Sequence, residues 1–301
     1  MANEAAERVR LEVGRARLEV CPALGGVVTE FSWDVGGRRL HWLRPAPEGS
    51  GFPATDAASF PLAPISNRVR NGKFEFQGQA YRMALNFLPQ THAIHGHGWQ
   101  SAWDVTDRTG DSITLSFRHD EDDWPSAYEA IQRFTLSESV FELEMAVRNV
   151  GDRAMPAGLG PHPYFVRTPT ARIAAGVDRM WTGGPDFMPV DLVSLPDDRR
   201  IPDGVVADSV FMDNIFTGFA GEARIDWPEW HAALIMRADP VFGFLVVYTP
   251  TGEDFFCVEP VSNCTDGLTM LAAGKPDHGI RVLEPGQELS GRVSFTPQRE
   301  V

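Results

Sequence analysis

The sequence predicts an all-β protein, a large antiparallel β-sandwich made of two stacked sheets. Apolar and polar residues alternate along residues 112–118, 141–148 and 292–296, which is typical of strands with one buried and one solvated face. Turn signals rich in Gly separate such segments. No stretch of helical periodicity is long enough to form a βαβ layer, and many short strands without crossover helices favour stacked antiparallel sheets.

The predicted strands follow one another at short intervals along the chain. In order they cover residues 10–13, 17–20, 27–33, 74–76, 112–118, 134–136, 141–148, 233–237, 244–248, 255–258 and 292–296. The turn signals are Gly36-Gly37, Asn71-Gly72, Thr109-Gly110, Thr251-Gly252 and Pro285-Gly286. Residues 45–64, rich in Pro, Gly and Ala, are predicted to form a long loop that leads into residues 67–68. Because Gly and Pro do not gather into a linker, we expect a single domain over residues 1–301.

Composition limits the compartment and the partners. A hydrophobic content of 43% with 23% charged residues is ordinary for a soluble globular protein with a sizeable core. The formal charge of −14 argues against nucleic-acid and anionic-membrane partners, because both would repel it. Three cysteines without a Cys-x-x-Cys pair predict neither a disulfide framework nor a zinc–thiolate site. Residues 1–8 lack the apolar run of a signal peptide, so we expect a cytoplasmic protein, either a monomer or a homodimer.

Three separated segments carry side chains suited to sugar chemistry: residues 66–68 with 92–99, residues 160–165, and residues 258–260. They contribute an arginine, several histidines, a carboxylate and aromatic rings. An imidazole with a pKa of about 6.5 can give or take a proton at neutral pH, and a carboxylate can accept one. Together the segments predict a site that holds a polyhydroxylated sugar, with aromatic faces against the C–H groups of the ring.

Two residues in these segments are candidates for proton transfer. His162 lies between two prolines in an aromatic segment, a setting that by itself is more typical of a packed structural histidine. Glu259 ends the apolar run 255–258, where a carboxylate would be costly to bury without a purpose. Burial would raise the pKa of this glutamate from about 4.3 and make it a better proton acceptor.

The histidine cluster His92-x-x-His95-x-His97 leaves a metal site open as an alternative, because imidazoles at short spacing suit zinc. The spacing differs from the helical His-Glu-x-x-His pattern, and no acidic residue follows directly. On an extended strand His95 and His97 would share a face and His92 would lie opposite. We expect His92 and His97 to be structural and the protein to hold no metal. Residues 120–123 are predicted to be a solvated acidic loop, and no nucleotide, nicotinamide or flavin motif is present.

The order and spacing of several motifs resemble the aldose 1-epimerase (galactose mutarotase) family. The matching residues are Asn67-Arg68, Gly72-Lys73-Phe74, Gly78-Gln79-Ala80-Tyr81, Asn86 and His92-Ala93-Ile94-His95-Gly96. The resemblance covers roughly residues 61–295. It implies the galactose mutarotase-like supersandwich fold and an isomerase of carbohydrate metabolism that needs no cofactor.

The resemblance also implies roles for individual residues. His162, followed by Tyr164 and Phe165, would be the acid that protonates the ring oxygen, and Glu259 would be the base that takes the anomeric hydroxyl proton. The substrate-binding residues implied in the same way are Arg68, His95, Asp213, Asn67 and Trp99. Trp99 has an alternative place in the core.

The expected activity is interconversion of the α and β anomers of a free aldose through the ring-opened form. A neutral sugar such as glucose or galactose is favoured over a hexose 6-phosphate, because a phosphate would need a basic clamp in a protein of charge −14. Arg153, Arg167 and Lys73 are the residues that could converge to form one. Two alternatives remain at this point: a sandwich that binds sugar without catalysis, and a zinc hydrolase built on the histidine cluster.

Overall fold

The protein consists mainly of β-strands, as expected from the sequence. A computed structural model describes residues 7–49 and 51–299, with about 50% strand and 8% helix. The first strands are β1 (Val9–Val13), β2 (Ala16–Cys21), β3 (Val27–Val35), β4 (Arg38–His41), β5 (Ser59–Leu62), β6 (Arg68–Val69), β7 (Lys73–Phe76), β8 (Gln79–Arg82), β9 (Ala93–Ile94), β10 (Asp104–Arg108), β11 (Ser112–His119), β12 (Tyr128–Leu136) and β13 (Phe141–Asn149). The second half contains β14 (Met155–Ala157), β15 (Gly160–Val166), β16 (Arg172–Ala175), β17 (Arg179–Gly183), β18 (Pro189–Ser194), β19 (Val205–Val206), β20 (Asp213–Thr217), β21 (Glu222–Trp227), β22 (Ala232–Ala238), β23 (Phe244–Tyr248), β24 (Phe255–Val261), α1 (Gly267–Ala272), β25 (Arg281–Leu283) and β26 (Glu288–Arg299).

Two large antiparallel sheets form the sandwich. An eleven-stranded sheet has the order β1-β2-β3-β5-β15-β24-β23-β20-β17-β18, with β4 paired to β3. A nine-stranded sheet has the order β10-β11-β12-β13-β26-β22-β21-β16-β19. Three two-stranded ribbons, β6-β9, β7-β8 and β14-β25, complete the fold. The six-residue α1 agrees with the expectation that no helical layer covers the sheets, and no helix in the described ranges is long and apolar enough to cross a membrane.

The main hydrophobic core fills the space between the two sheets. Phe31 of β3 meets Phe141 of β13 with 5.2 Å between the ring centroids, and Phe141 stacks in turn on Phe295 of β26. Alternate residues of the nine-stranded sheet contribute to this core; along β13 every second residue is buried. Burying these large rings provides the main stabilisation of such a sandwich, at about 25 cal/mol per Å² of apolar surface.

The central strands of the eleven-stranded sheet are buried on both faces. Along β15 and β24, successive residues enter opposite cores: Phe165 and Phe256 face the sandwich interior, whereas Tyr164 and Cys257 belong to a second apolar cluster on the outer face. Because both faces are covered, these strands lack a clear polar alternation. The long connections that cover the outer face carry residues 54–58 and 92–99, and they form the walls of a cavity.

One expectation about local structure needs correction, and one central strand was missed. Residues 45–64 are not one continuous loop, because Ser59–Leu62 form β5 in the middle of the large sheet, paired with β15 and β3. β15 itself was not predicted. Its sequence does not alternate, because nearly all of its residues are buried, and it contains Pro161 and Pro163, which are rare in central strands. The predicted turn at Thr251-Gly252 does join β23 to β24.

Candidate active site

A cavity of about 530 Å³ lies over the outer face of the eleven-stranded sheet. Neighbouring strands supply its floor: Phe60 comes from β5, His162 from β15, Glu259 from β24, Val246 from β23 and Asp213 from β20. The residues that line it are Arg44, Thr55, Asp56, Phe60, Asn67, Arg68, Phe87, Gln90, Ile94, His95, His162, Tyr164, Phe187, Phe211, Asp213, Val246, Tyr248, Glu253, Phe255 and Glu259. Of the seven residues predicted for the site, all except Trp99 are among them.

His162 and Glu259 form a buried pair at the floor. The distance from His162 Nε2 to Glu259 Oε1 is 3.4 Å, and the two residues are 8% and 1% exposed. Their strands are direct neighbours, which brings together residues almost a hundred positions apart in the chain. Within the described part of the chain, His162 Nδ1 and Glu259 Oε2 have no hydrogen-bond partner. Buried polar atoms are normally satisfied, and these two are exceptions beside the cavity.

Burial shifts the pKa values of both residues toward their uncharged forms. It lowers the pKa of His162 to about 3, and the guanidinium groups of Arg44 and Arg68 also disfavour a positive imidazole. It raises the pKa of Glu259 well above its usual value, with the Asp213 carboxylate adding to the effect and Arg68 opposing it. Both shifts favour the uncharged forms, so His162 is neutral at neutral pH and Glu259 is a weaker acid than an ordinary glutamic acid.

His95 enters the cavity from a tightly constrained turn. Its backbone has φ 61°, Gly96 has φ 69°, and a Cβ on Gly96 would lie 2.3 Å from the carbonyl oxygen of Ala63. The Asn67 amide donates to His95 Nδ1 over 3.1 Å, and the His95 amide donates to the Asn67 carbonyl over 3.0 Å. Since Nδ1 accepts, the proton of the neutral ring is on Nε2. Burial lowers the pKa of His95 well below its usual value, with His162 and Arg68 adding to the effect, so the ring is a neutral donor.

Arg68 of β6 is held beside the cavity by an ion pair with Asp213 of β20. Arg68 Nη2 lies 2.9 Å from Asp213 Oδ2, and both side chains are largely buried. Asn67 Oδ1 accepts from the Arg68 amide over 2.8 Å. The guanidinium also lies over the ring of Phe187, 5.0 Å from its centroid. This arrangement fixes a planar set of donors next to a carboxylate acceptor, which is suited to a sugar's vicinal hydroxyls.

An aromatic layer supports the floor and was largely missed by sequence reasoning. Phe60 stacks on His162 with 4.4 Å between centroids, and Tyr164 stacks on the same imidazole at 4.8 Å. Arg44 lies over the rings of both Tyr164 and Phe255, at 4.5 Å from each centroid. Tyr164 was part of a recognised motif. Phe60 and Arg44 carried no signal of their own, because they lie in and just before the stretch interpreted as a loop.

Trp99 does not line the cavity, which corrects its expected place in the sugar-facing wall. It is 2% exposed and packs behind the site, stacked on Phe60 at 5.4 Å and edge-on to His95 at 6.1 Å. The core alternative is therefore the correct one. Trp99 contacts the residues that face the cavity, and can act on the site only through them.

The three histidines of the 92–97 segment do not form a common metal site. His92 Nδ1 accepts from the Asn71 amide over 3.0 Å, which is a structural role, as expected. His95 and His97 do not share a face, contrary to the extended-strand expectation, because the left-handed backbone at His95 and Gly96 turns the chain. The ring of His97 instead stacks on His119, on the far side of the loop from the cavity. A zinc hydrolase centred on these three residues is thus excluded.

The basic residues considered for a phosphate clamp also lie elsewhere. Arg153 pairs with Glu121 and Arg167 with Asp208, and neither they nor the exposed Lys73 are among the described residues that line the cavity. The arginines that do line it are Arg44 and Arg68, against four acidic residues, Asp56, Asp213, Glu253 and Glu259.

Comparison with known proteins agrees with this fold. The family model for aldose 1-epimerase matches residues 7–296. The uncharacterized protein YphB of Escherichia coli K12 is 31% identical over 294 residues, covering 95% of this chain and 97% of its own. A solved structure of a candidate aldose 1-epimerase from Escherichia coli K12 has a TM-score of 0.89 at 28% identity, covering 98% of this chain and 99% of that one. A galactose mutarotase-like protein from Clostridium acetobutylicum shares the fold, with a TM-score of 0.85 at 17% identity over 97% and 95% of the chains. The chain therefore belongs to the aldose 1-epimerase family.

Proposed function

We propose that this protein is a mutarotase that interconverts the α and β anomers of a free, neutral aldose. The observation that carries the proposal is the buried His162–Glu259 pair, whose nearest atoms are 3.4 Å apart at the floor of a cavity with sugar-binding groups on its walls. One proton shared between an imidazole and a carboxylate is the minimum that ring opening requires, because one proton must leave O1 as another reaches O5.

The catalytic cycle begins from the neutral pair. Hydroxyls of the bound sugar that donate to Glu259 favour its carboxylate form, and its proton moves to His162 when the sugar is bound. Glu259 then takes the proton from the anomeric hydroxyl while His162 gives its proton to the ring oxygen. The C1–O5 bond breaks and the aldehyde forms. Rotation about C1–C2 presents the opposite face, and the two transfers run in reverse to close the other anomer.

The remaining polar residues hold the sugar in place for these transfers. His95 donates from Nε2 toward the sugar oxygens, while Arg68 and Asp213 offer adjacent donors and an acceptor to neighbouring hydroxyls. Asn67 has a supporting role, since its backbone fixes His95 and its side chain fixes the Arg68 amide. Groups held rigidly in this way lower the entropic cost of reaching the transition state.

A neutral substrate fits the charge of the cavity. With Glu259 protonated, three carboxylates and two arginines remain at its surface, and one arginine is already paired with Asp213. A phosphate monoester would bring nearly two further negative charges without an arginine pair to receive them. Exposed rings of Phe87, Phe187 and Phe211 around the cavity can instead cover the C–H face of a pyranose.

The proposal is tested by anomer-exchange NMR on glucose, galactose and their 6-phosphates. His162→Asn and Glu259→Gln should each lower the rate by about 10² to 10⁴ while circular dichroism shows an unchanged fold. The matched controls are His231→Asn and Glu222→Gln, which make the same changes at exposed positions. Near-normal turnover in a folded His162 or Glu259 variant would remove that residue from the mechanism, and a strong preference for a phosphorylated sugar would refute the substrate class.

A sugar-binding protein without catalysis is the alternative, and the same experiment decides it. Saturable sugar binding with no faster anomer exchange than in buffer would favour that alternative. We further propose that the chain works as one domain over residues 1–301, since the main core includes residues from Val9 to Phe295.

A further inference from the structure

We propose that His97, His119 and Asp123 form a binding site for a single zinc-class divalent cation on the side of the 92–99 loop that faces away from the cavity. The three residues come from separate parts of the fold: the site loop, the end of β11, and the acidic connection between β11 and β12. Their potential ligand atoms all lie within 4.8 Å of one another. The proposal is independent of the mutarotase mechanism, which uses none of these side chains.

The polar atoms of the cluster lie at ion-pair distances from one another but do not form hydrogen bonds of normal geometry. His97 Nε2 lies 3.0 Å and His119 Nε2 lies 3.3 Å from the same oxygen, Asp123 Oδ1. Among the described residues, none of these three buried atoms makes a hydrogen bond of normal geometry, although the distances would allow it. Three neighbouring buried polar atoms without a well-formed hydrogen bond are unusual in a folded protein, and a bound ion would satisfy all of them at once.

The spacing matches a tetrahedral ion. Zinc bonds to imidazole nitrogen and carboxylate oxygen are about 2.0–2.2 Å long, which places the ligand atoms of a tetrahedron about 3.3 Å apart. The observed separations of 3.0 and 3.3 Å are close to that edge length. Two imidazoles with a carboxylate select zinc and its transition-metal neighbours over magnesium or calcium, which prefer oxygen alone.

The surroundings orient the ligands as the outer groups of metal sites do. His97 Nδ1 is 2.7 Å from the hydroxyl of Tyr128, a fully buried side chain that can hold the ring with Nε2 toward the cluster. The two imidazole rings are stacked 6° from parallel at 3.9 Å, so one of them must tilt for both nitrogens to reach the same ion.

An ion at this position would fasten the catalytic loop to the nine-stranded sheet. His97 is two residues from His95, and the intervening Gly96 is pressed against the backbone of Ala63. The cation would therefore restrain the segment that places His95 without contacting the sugar. We expect binding to stabilise the native protein by ordinary linkage.

The experiment is titration of chelator-treated protein with ZnCl₂ by isothermal calorimetry, with MgCl₂ as the control ion. One Zn²⁺ per chain is expected, and it should raise the Tm by a few degrees. His119→Phe, which keeps an aromatic ring, and Asp123→Asn should each weaken binding by at least about tenfold. Asp120→Asn, which removes a charge from an exposed position in the same loop, should leave binding unchanged.

A second probe distinguishes this site from the other cluster of metal-ligating groups, His162 with Cys257 and Glu259. Co²⁺ bound to nitrogen and oxygen gives a visible d–d spectrum without a thiolate charge-transfer band, whereas Cys257 would produce that band. The proposal is overturned by an absence of saturable Zn²⁺ binding, by equal binding in the wild type and the His119→Phe and Asp123→Asn variants, or by a thiolate band that disappears in Cys257→Ser. The Co²⁺ spectrum of the wild type decides the question even where a variant fails to fold.

Discussion

The pH dependence of catalysis is the most direct test of the buried His162–Glu259 pair. Burial lowers the pKa of His162 to about 3 and raises that of Glu259, so between these two values the pair carries a single proton. An imidazole with a pKa of about 3 would itself be protonated in only about one molecule in 10⁴ at pH 7. The acid proton is therefore not held on His162 at rest; in the proposed mechanism it is stored on Glu259, and the competent species is the one-proton pair.

The sign and size of the acid limb follow from this assignment. On the acid side, activity is lost when His162 is protonated and the pair holds two protons. With a His162 pKa of about 3, about nine-tenths of kcat/KM remains at pH 4. If both groups instead kept their ordinary pKa values, the pair would gain its second proton on Glu259 near pH 4.3, and only about a third of kcat/KM would remain at pH 4. On the alkaline side the rate should fall as the pH passes the raised pKa of Glu259.

Polarimetry between pH 3.5 and 9 measures this profile after the spontaneous rate is subtracted and folding is checked at each pH. Imidazole ¹⁵N NMR provides a second reading, with the His162 signals identified by their loss in His162→Asn. These signals should remain those of a neutral ring from pH 5 to 8. A midpoint near 4.3 in the acid limb, or a His162 titration near 6.5, would refute the reasoning.

Two further predictions concern ligand binding and the site loop. Asp213→Asn removes the carboxylate that pairs with Arg68 at 2.9 Å. We expect kcat/KM to fall by about 10- to 100-fold, mainly because KM rises. A fall confined to kcat would contradict a binding role for Asp213. Gly96→Ala should lower the free energy of unfolding in urea by about 2–3 kcal/mol, because a Cβ meets the Ala63 carbonyl oxygen at a left-handed position. Gly36→Ala, also left-handed but with nothing within 4 Å, should lose only about 1 kcal/mol, and equal losses would disprove the close-approach argument.

The sequence by itself determined the class of fold and most of the candidate site. Alternation of apolar and polar residues predicted strands such as 112–118 and 141–148, because these belong to a sheet with one face toward the core, and the structure confirms both. Motif order brought His162, Glu259, Arg68 and His95 into one hypothesis, and they do line one cavity. Local alternation is enough to predict a strand, because it records which face of the strand meets water. The hypothesis about the site came instead from the resemblance of the motif order to a known family.

Only the tertiary structure decided what depends on neighbours distant in the chain. β15 is buried on both faces, so no alternation marks it, and Phe60 and Arg44 acquire their roles only when β5 lies beside it. The left-handed backbone at His95 turns the chain, so His95 and His97 do not share a face. A prediction based on an extended strand could not include this turn. The pKa of His162 is lowered by desolvation, a property of everything packed around the ring. Desolvation and long-range contact arise from the folded packing, and therefore the proton state of the site could not be predicted from the order of the residues.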